Sequence, residues 1–548
     1  MNKKIYLEKI IQQIPRLLSL ENRDSSSSTV GCFDRSYWAW KFTDFPNATL
    51  QRGVYVLSAL YTNDFPHNIY YQNDQIKKCI KTGCDYWVKI QHANGSFDQA
   101  FPNEHSVGAT AFTLLCLIKT YLICQAEFTP SEQKKMQRSF KKAATFLAKN
   151  QEQHGFISNH LAGVALALQL SSKVLADNNL HDRAQEIINL IIKSQSPEGW
   201  FKEYEGPDPG YETLGLSYLA QYYQASGNER LLSALEKALI FLSYSVAPDG
   251  SWGGHYGSRN TEIYYPAGME ILKNKIPLAQ KISTWMSNAI ANNQTVSMEA
   301  MDDHNLIPLL ENYSDAFLTS TSTYDKTEIN LPFEQANTQA FFKHAGLGIH
   351  GTSSYYLICN ATKGGTLAIF DKKKQQLVWN DCGYLGTTTS NRQLTTQISN
   401  RQNFCDPAVP AITIKTQFLT VLNTTRMPIQ SLILGLMSLT FFRSISFGNW
   451  FKKILVKKLI VQKRPAAVWL TRQITLNDYG VVINDQLTKK SRIKFTALTY
   501  GQKFSAIHMG SANYFSKNDL LPLAKPTPIN LDEFNSFNQV TVKTQLNF

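Results

Sequence analysis

The sequence lacks the cysteine patterns that hold disulfide frameworks or zinc. Its eight cysteines include no Cys-x-x-Cys pair, and none lies with histidines at zinc-ligand spacing. Cys116 and Cys124 instead fall in an apolar run with helical character, where buried thiols are common. We therefore expect no metal, no cofactor and a reducing compartment.

Long apolar runs are also missing. The longest, from Ile429 to Phe442, spans 14 residues and contains polar side chains, which is short for a transmembrane helix. Glu8 and Lys9 interrupt the apolar part of the N-terminal stretch, which therefore resembles a short amphipathic helix rather than a signal peptide. We expect a cytoplasmic protein, with peripheral attachment to the inner membrane as an open alternative.

Acidic residues are absent from 407 to 477, and this segment carries much of the net charge of +13. Apolar residues such as Leu432 and Trp450 are interleaved with its basic ones. The basic residues are Lys415, Arg426, Arg443, Lys452, Lys453, Lys457, Lys458, Lys463, Arg464 and Arg472. Such a basic amphipathic segment suits an anionic membrane surface or an acidic polymer, or packs on the protein with a solvated basic face. Nucleic acid is not expected, because no recognised binding motif accompanies the charge.

A turn in which Gly is followed at once, or after Ser, by Phe or Trp recurs through the first half of the chain. Its glycines are Gly95, Gly155, Gly199 and Gly250, at intervals of 60, 44 and 51 residues, and the segments between them have helical periodicity. This period fits one helical hairpin per repeat, with glycine as the left-handed helix cap. We predict an (α/α) toroid over residues 1–325, with the loops that follow the turns at one rim.

The pattern changes to that of β-strands from about Thr338. Short runs rich in β-branched and aromatic residues continue almost to the end of the chain. They predict an antiparallel β-sandwich over 326–548, interrupted by a basic helical insertion at about 428–461. The fold class expected is multidomain α+β.

The rim loops contain the candidate functional residues. The catalytic candidates are His160, Tyr211, Tyr218 and His255, and the substrate-binding candidates are Asn159, Arg259, Glu104, His105, Trp252 and Asn260. Some of these loop residues instead suit helix N-caps. As a set they suit β-elimination beside a carboxylate, which needs a donor to neutralise the carboxylate, a base and an acid. Asn159 and Arg259 would hold the carboxylate, His160 would be the base, and Tyr211 or Tyr218 the acid.

A toroid followed by a β-sandwich resembles the heparinase II/III and alginate lyase group of polysaccharide lyases. Asn159-His160 is similar to the Asn-His pair of that family, and Gly210-Tyr211-Glu212 with Tyr218 is similar to the segment that carries its catalytic Tyr. The early β-domain offers only His344 and His350 where the family has a His-rich motif. The resemblance implies β-elimination on an acidic, uronate-containing polysaccharide. It also implies a role in the metabolism or assembly of a bacterial surface polysaccharide, with an acidic polysaccharide or a lipid-linked glycan as partner.

Two other classes remain open. The Gln-containing Gly-aromatic turns are similar to those of terpene cyclases and protein prenyltransferases, which act on polyprenyl substrates, but the chain has no Asp-x-Asp-Asp motif. A glycosidase would need two positioned carboxylates, and no spacing singles out such a pair. The second open class is a non-catalytic glycan-binding protein that keeps the cleft without the catalytic activity.

Overall fold

The computed structural model describes residues 2–152, 155–204, 206–321, 328–407, 410–421, 428–456, 463–501 and 510–548. Within them, α-helices occupy the N-terminal part and antiparallel sheets the C-terminal part, which confirms the expected α+β class. The first thirteen helices are α1 (Asn2–Leu20), α2 (Arg35–Trp38), α3 (Gly53–Tyr61), α4 (Asp74–Lys89), α5 (Val107–Cys124), α6 (Pro130–Lys149), α7 (Ser158–Leu175), α8 (Asn178–Lys193), α9 (Pro209–Ser226), α10 (Glu229–Ser243), α11 (Ala267–Leu272), α12 (Pro277–Ala291) and α13 (Asp303–Thr319). The boundary predicted at residue 325 falls outside the described residues.

Inner and outer helices alternate along the toroid. The inner helices α3, α5, α7 and α9 are buried almost all round, and the outer helices α4, α6, α8 and α10 are buried on one face only. Each inner helix packs on the next, and α11 and α13 complete the inner ring back to α3. The N-terminal helix α1 packs on α12 and α13 from outside, so its apolar face completes the toroid.

The recurring glycines are not helix caps, because the preceding helix ends several residues earlier. Helix α4 ends at Lys89, whereas Gly95 lies in the turn that follows, at φ 93°. Gly199 and Gly250 also have positive φ, and Gly155 does not. A Cβ on Gly95 would collide with the carbonyl oxygen of Lys142 on α6, the following outer helix. At Gly95 and Gly199, glycine is therefore needed chiefly because the turn lies against the backbone of the next repeat.

The glutamines of the first and third motifs make the same connection between repeats. Gln91 Nε2 donates to the carbonyl oxygens of Gly95 (3.2 Å) and of Ser139 on α6 (3.0 Å). Gln195 repeats both bonds in the third turn. In these two turns the glutamine thus joins the turn to the next outer helix.

Among the described residues, one segment, Val107–Glu127, is long and apolar enough to cross a membrane. It includes the inner helix α5, and 83% of its apolar window is buried inside the protein. Its composition therefore follows from its place in the inner ring.

The C-terminal part contains two antiparallel sheets. The strands are β1 (Thr338–Phe342), β2 (Leu347–Gly351), β3 (Tyr355–Asn360), β4 (Thr366–Asp371), β5 (Gln376–Asp381), β6 (Tyr384–Thr388), β7 (Gln393–Thr395), β8 (Phe404–Asp406), β9 (Ala411–Thr420), β10 (Pro465–Asn477), β11 (Gly480–Lys489), β12 (Phe495–Tyr500) and β13 (Gln539–Asn547). Strands β1 to β5 form one sheet in sequence order. The other sheet has the order β12-β6-β7-β9-β10-β11-β13, with β8 paired to β9.

The first sheet lies between the toroid and the second sheet. On β3, Tyr356 and Ile358 join the core of the toroid, whereas Tyr355 and Leu357 pack against residues of the second sheet such as Ile414. Both faces are covered, so β3 and β4 are apolar without alternation and buried throughout. The first sheet thus shares one hydrophobic core with the toroid and another with the second sheet.

The helical insertion contains α14 (Pro428–Leu439) and α15 (Ile445–Val456), and α16 (Leu531–Phe537) follows later, before β13. The insertion contacts the toroid at two places. The Phe442 ring lies 4.8 Å from that of Phe101, and Asn103 Nδ2 donates to the Ser438 carbonyl oxygen (2.9 Å). The basic residues Arg426, Lys457 and Lys458 lie outside the described residues. 

One member of the predicted basic surface is buried instead. Arg472 on β10 is fully buried and pairs with Asp381 (2.8 Å) and Asp485 (2.7 Å). Both acids lie outside the segment 407–477, so its local composition gave no sign of this pairing. Arg472 therefore belongs to the sandwich core.

Candidate active site

The loops that follow the recurring turns lead into the first residues of the inner helices α5, α7, α9 and α11. Because successive inner helices are each preceded by such a loop, their N-terminal ends meet at one rim. Helix N-termini present unpaired backbone N–H groups and a partial positive charge. The rim therefore favours an anionic ligand even before its side chains are considered.

A buried amide–carboxyl pair lies at the start of α7. The backbone N–H and Nδ2 of Asn159 donate to Glu203 Oε1 (2.9 Å) and Oε2 (2.7 Å). Burial raises the pKa of Glu203 to about 7, although the nearby Arg259 and the Asn159 hydrogen bond oppose this rise. The Oδ1 atom of Asn159 is buried and has no hydrogen-bond partner among the described residues. The pair can therefore exchange a proton near neutral pH and accept a further donor.

Arg259 and Tyr211 stack beside this pair. The guanidinium carbon lies 3.8 Å from the centre of the Tyr211 ring and 5.2 Å from that of Tyr204. Its Nη1 atom lies 3.9 Å from Glu203 Oε2. The nearby carboxylates and tyrosines outweigh burial and raise the pKa of Arg259, so it stays charged. A fixed cation thus adjoins a phenol and a carboxyl group.

Asp208 joins the two loops that carry these groups. Its Oδ1 accepts the backbone N–H of Tyr211 (3.1 Å) as the N-cap of α9, and its Oδ2 accepts that of Arg259 (2.8 Å). One buried carboxylate therefore sets the relative positions of the third and fourth loops.

His160 follows Asn159 and is oriented by a carboxylate. Its Nδ1 lies 2.9 Å from Glu152 Oε1, and its ring meets the Phe112 ring edge-on at 5.3 Å. A carboxylate on one ring nitrogen fixes the imidazole and leaves Nε2 for proton transfer. His160 therefore has the arrangement of a general base.

An open cationic cavity of about 530 Å³ adjoins Tyr204. The residues that line it are Lys202, Tyr204, Asn400, Arg401, Gln402, Gln417, Leu419, Lys463 and Pro465. Three of them are cationic and none is acidic. Since Tyr204 also contacts Arg259, the cavity extends the buried cluster into a cleft between the toroid and the β-domain that suits an anionic polymer.

The structure places Tyr218 in the interior of the toroid, away from the rim. Its hydroxyl accepts from Arg52 Nη2 (3.1 Å), and Arg52 is itself paired with Glu311 through Nε (2.6 Å). Its side chain is 1% exposed and its pKa is raised by burial. Phe112 contacts both Tyr218 and His160, so Tyr218 supports the site from behind.

Two of the predicted residues in the fourth loop, His255 and Asn260, contact the β-domain. Lys363 Nζ donates to the carbonyl oxygens of His255 (2.6 Å) and Gly257 (2.8 Å), and to Asn260 Oδ1. Burial and Lys363 lower the pKa of His255 to about 3, so the ring is neutral. Trp252 is buried and donates from Nε1 to the Pro209 carbonyl oxygen (3.0 Å). These contacts hold the loop that presents Arg259.

Glu104 and His105 lie in the first loop as a separate group. Glu104 Oε2 accepts the backbone N–H groups of Gln99 and Ala100, which closes the loop. The ligand atoms of His92, Asp98 and His105 lie within 4.8 Å of one another, so these side chains could hold a divalent metal. Asp98 already accepts a His92 hydrogen bond (2.8 Å) and two backbone N–H groups.

The sequence interpretation brought Asn159, His160, Tyr211 and Arg259 to one rim, as the structure does, but it missed Glu203 and Glu152. Glu203 lies two residues after the Gly199-Trp200-Phe201 turn of the third repeat. The sequence marks Glu203 only by this position, because Phe201, two residues before it, packs into the core of the toroid.

Comparison with known proteins gives one family and a set of similar folds. Residues 66–266 match the family model of the ulvan lyase N-terminal domain, and this range contains Asn159, Glu203, Tyr211 and Arg259. No curated protein matches the chain.

One similar solved structure is the chondroitin AC lyase of Streptomyces coelicolor A3 in complex with chondroitin sulphate. It is 7% identical to this chain with a TM-score of 0.56, and the match covers 90% of this chain and 67% of that one. A Paenibacillus xanthan lyase has 10% identity and a TM-score of 0.48, over 90% of this chain and 46% of that one. This chain thus spans less than half the length of the xanthan lyase. A heparan sulfate lyase mutant from Pedobacter heparinus has 10% identity and a TM-score of 0.44, over 88% and 69%.

The chondroitin AC lyase shares the toroid followed by antiparallel sheets, which confirms the predicted fold. At these identities the likeness concerns the fold, while the family match covers residues 66–266, the part of the toroid that carries Asn159, Glu203, Tyr211 and Arg259. Residues 66–266 are therefore similar to the ulvan lyase N-terminal domain, and the fold of the chain is similar to that of the chondroitin AC lyase.

Proposed function

We propose that this protein cleaves an acidic, uronate-containing polysaccharide by β-elimination at the Asn159–Glu203–Arg259 cluster. The observation that carries the proposal is the buried Asn159–Glu203 pair beside a fixed arginine, at the head of a cationic cleft. A site built to neutralise a carboxylate needs such donors, because elimination depends on stabilising the charge that develops there.

The remaining groups supply the proton transfers. His160, oriented by Glu152, takes the proton from C5 of the uronate, and the electron pair forms the C4–C5 double bond as the C4–O bond breaks. Tyr211, under the Arg259 guanidinium, gives a proton to the leaving oxygen. Asn159, Arg259 and the protonated form of Glu203 hold the substrate carboxylate throughout.

Two features weigh against the other classes. The interior of the toroid holds the buried ion pairs Arg52–Glu311 and Lys119–Asp315 (2.6 Å) where a cyclase would need an apolar chamber. A binding protein would not need His160 oriented by a carboxylate. The finer heparinase II/III-like assignment is part of the proposal, and it is supported by the Asn159-His160 pair at the start of an inner helix.

The experiment is ultraviolet absorbance during incubation with ulvan, xanthan, chondroitin sulphate, heparan sulfate and alginate, since elimination creates a conjugated unsaturated uronate. We expect the absorbance to rise with at least one polymer. The rate of this rise should be lower by about 100-fold or more in Asn159→Ala and Tyr211→Phe. The matched control is Tyr223→Phe, on the same helix α9 but bonded to Glu229 at its far end. Equal rates in all three variants would overturn the assignment of the site, and a flat trace across the panel would overturn elimination on these polymers.

We also propose that the protein works in the cytoplasm at the inner membrane and acts there on a lipid-linked glycan in exopolysaccharide biosynthesis. The support is the helical insertion, where large apolar side chains are at least half exposed: Ile429, Leu432, Ile433, Leu436, Leu439, Phe441 and Trp450. The exposed Lys453 follows them, and the segment 407–477 contains no acidic residue. Apolar side chains with basic neighbours are typical of helices that lie in the interface of an anionic bilayer.

Sedimentation with vesicles tests this second proposal. The wild type should bind phosphatidylglycerol-containing vesicles more strongly than pure phosphatidylcholine vesicles, and Leu432→Glu with Leu436→Glu should lose that binding. Phe537→Glu is the matched control, because Phe537 is as exposed but lies on α16, away from the insertion. Unchanged binding in the double variant would overturn the proposal.

A further inference from the structure

A second cavity lies between the toroid and the β-domain, on the other side of the fourth loop from Arg259. Its volume is about 550 Å³, within the range of small-molecule sites. The toroid contributes Trp252, Gly254, His255 and Glu262, strands β4 and β5 contribute Phe370 and Asn380, and the segment 513–523 forms the remaining wall. None of the residues that form the proposed active cluster lines it.

The charge of this cavity is opposite to that of the cationic cleft. Among the described residues, Asp249, Glu262 and Asp519 line it, and no lysine or arginine does. An anionic sugar would therefore be repelled, although the protein as a whole carries a charge of +13. The ligand that suits these walls is uncharged and rich in hydroxyl groups, since carboxylates and amide side chains accept and donate hydrogen bonds.

His255 points to a ligand independently of charge. Its side chain is 8% exposed, and Nε2 has no hydrogen-bond partner among the described residues. The ring is neutral and bonds the backbone of Leu367. That bond must use Nδ1–H, so Nε2 carries a lone pair. A buried acceptor without a donor is costly, and a ligand hydroxyl would satisfy it.

Aromatic side chains complete the site. Phe515 lines the cavity but is 55% exposed, so its ring stands at the mouth with a face open to solvent. Trp252 and Phe370 form apolar parts of the wall deeper in. Sugars have apolar faces formed by C–H groups, and exposed aromatic rings beside polar side chains commonly bind them.

We propose that this interdomain cavity is a binding site for an uncharged saccharide unit, with Phe515 as its stacking platform and His255 Nε2 as a buried acceptor for a sugar hydroxyl. The site differs from the proposed active cluster in position and charge, and binding there does not require elimination activity. The fourth loop borders both sites, so an occupied cavity would also hold the loop that presents Arg259.

Ligand-observed NMR and calorimetry on the full-length protein test the proposal. The probes are the methyl glycosides of glucose, galactose, mannose and xylose, with methyl glucuronoside and methyl galacturonoside as charged counterparts. At least one neutral glycoside should bind, and its counterpart of the same configuration should bind at least tenfold more weakly. Phe515→Ala should weaken binding roughly three- to tenfold, as expected for the loss of one aromatic contact.

Leu520→Ala is the matched control, because Leu520 lies in the same segment and is 75% exposed but does not line the cavity. It should bind the neutral glycoside as the wild type does. No binding of any neutral glycoside, binding of the uronosides alone, or equal affinities in the Phe515 and Leu520 variants would each overturn the proposal. These results are independent of the absorbance assay, so the failure of either proposal leaves the other standing.

Discussion

Glu203 should make the stability of the protein depend on pH in a way that one substitution removes. The folded protein raises the pKa of this carboxyl group from 4.5 to about 7, chiefly by burial. The folded state therefore binds more protons than the unfolded chain between these values, so stability falls as the pH rises through this window. The difference corresponds to a loss of about 2.5 kcal/mol in the free energy of unfolding between pH 5 and pH 8.

The substitution that tests this is Glu203→Gln. An amide cannot ionise, so the variant should lack this loss. At pH 5 it should be less stable than the wild type by roughly 1–3 kcal/mol, because its NH₂ group faces one of the two Asn159 donors. At pH 8 that deficit should shrink by about 2.5 kcal/mol or reverse.

Urea unfolding of both proteins at pH 5 and pH 8 measures the change, and contributions from all other groups cancel in the difference. Glu186→Gln, which replaces an exposed carboxylate on α8, serves as the control and should give a curve parallel to that of the wild type. If Glu203→Gln also runs parallel to the wild type, Glu203 is not a carboxyl group that burial keeps protonated. The proposed neutral donor for the substrate carboxylate would then be wrong.

Three further predictions follow from contacts described above. Gly95→Ala should cost at least 2 kcal/mol more in unfolding free energy than Gly227→Ala, because both have positive φ but only Gly95 lies against another backbone. Arg472→Met should cost about 3–5 kcal/mol by urea unfolding, since it leaves two buried carboxylates without their cation. The KM for an acidic polysaccharide should rise with salt, and Lys202→Gln with Lys463→Gln should flatten that dependence. A salt-independent KM would argue against the cationic cleft as the polymer path.

The toroid could be predicted because its signal is local and repeated. Each turn combines a glycine with an aromatic residue, and three of the four have a glutamine four residues before the glycine. The contacts of Gln91 and Gln195 lie within one repeat or the next. The closure of the ring by α1 could not be predicted in this way. It depends on contacts between residues such as Tyr6 and Glu270 (2.9 Å), which are more than 260 positions apart.

The residues of the candidate site also differ in whether local sequence or long-range contacts determine their position. Asn159, Tyr211 and Arg259 could be chosen because rim loops place them at the same end of the toroid. The sequence could not tell which face of a loop each side chain would take, so His255 and Asn260 were grouped with Arg259 although they turn to the β-domain. Glu203 was missed because a carboxylate becomes a proton-binding group only through burial, and burial arises from the tertiary fold.

Lys363 connects the β-domain to the loop that carries Arg259 of the proposed active site. This buried lysine reaches across the domain boundary to two carbonyl oxygens of the fourth loop and to Asn260, and so fixes the backbone on both sides of Arg259. Lys363→Met leaves these acceptors buried and unpaired, so the loop should loosen. We expect a higher KM and a lower kcat on every polysaccharide that the wild type cleaves.

Lys372→Met is the matched control. Lys372 also donates to two carbonyl oxygens, those of Gln335 (2.8 Å) and Thr352 (2.7 Å). Both lie within the β-domain and its N-terminal connection, away from the fourth loop. Both variants lose a lysine that donates to two backbone carbonyl oxygens. The comparison is made at a temperature where both remain folded by circular dichroism. If activity falls equally in the two, Lys363 does not set the position of Arg259 and the β-domain serves only as support. If it falls in Lys363→Met alone, the position of Arg259 depends on both domains.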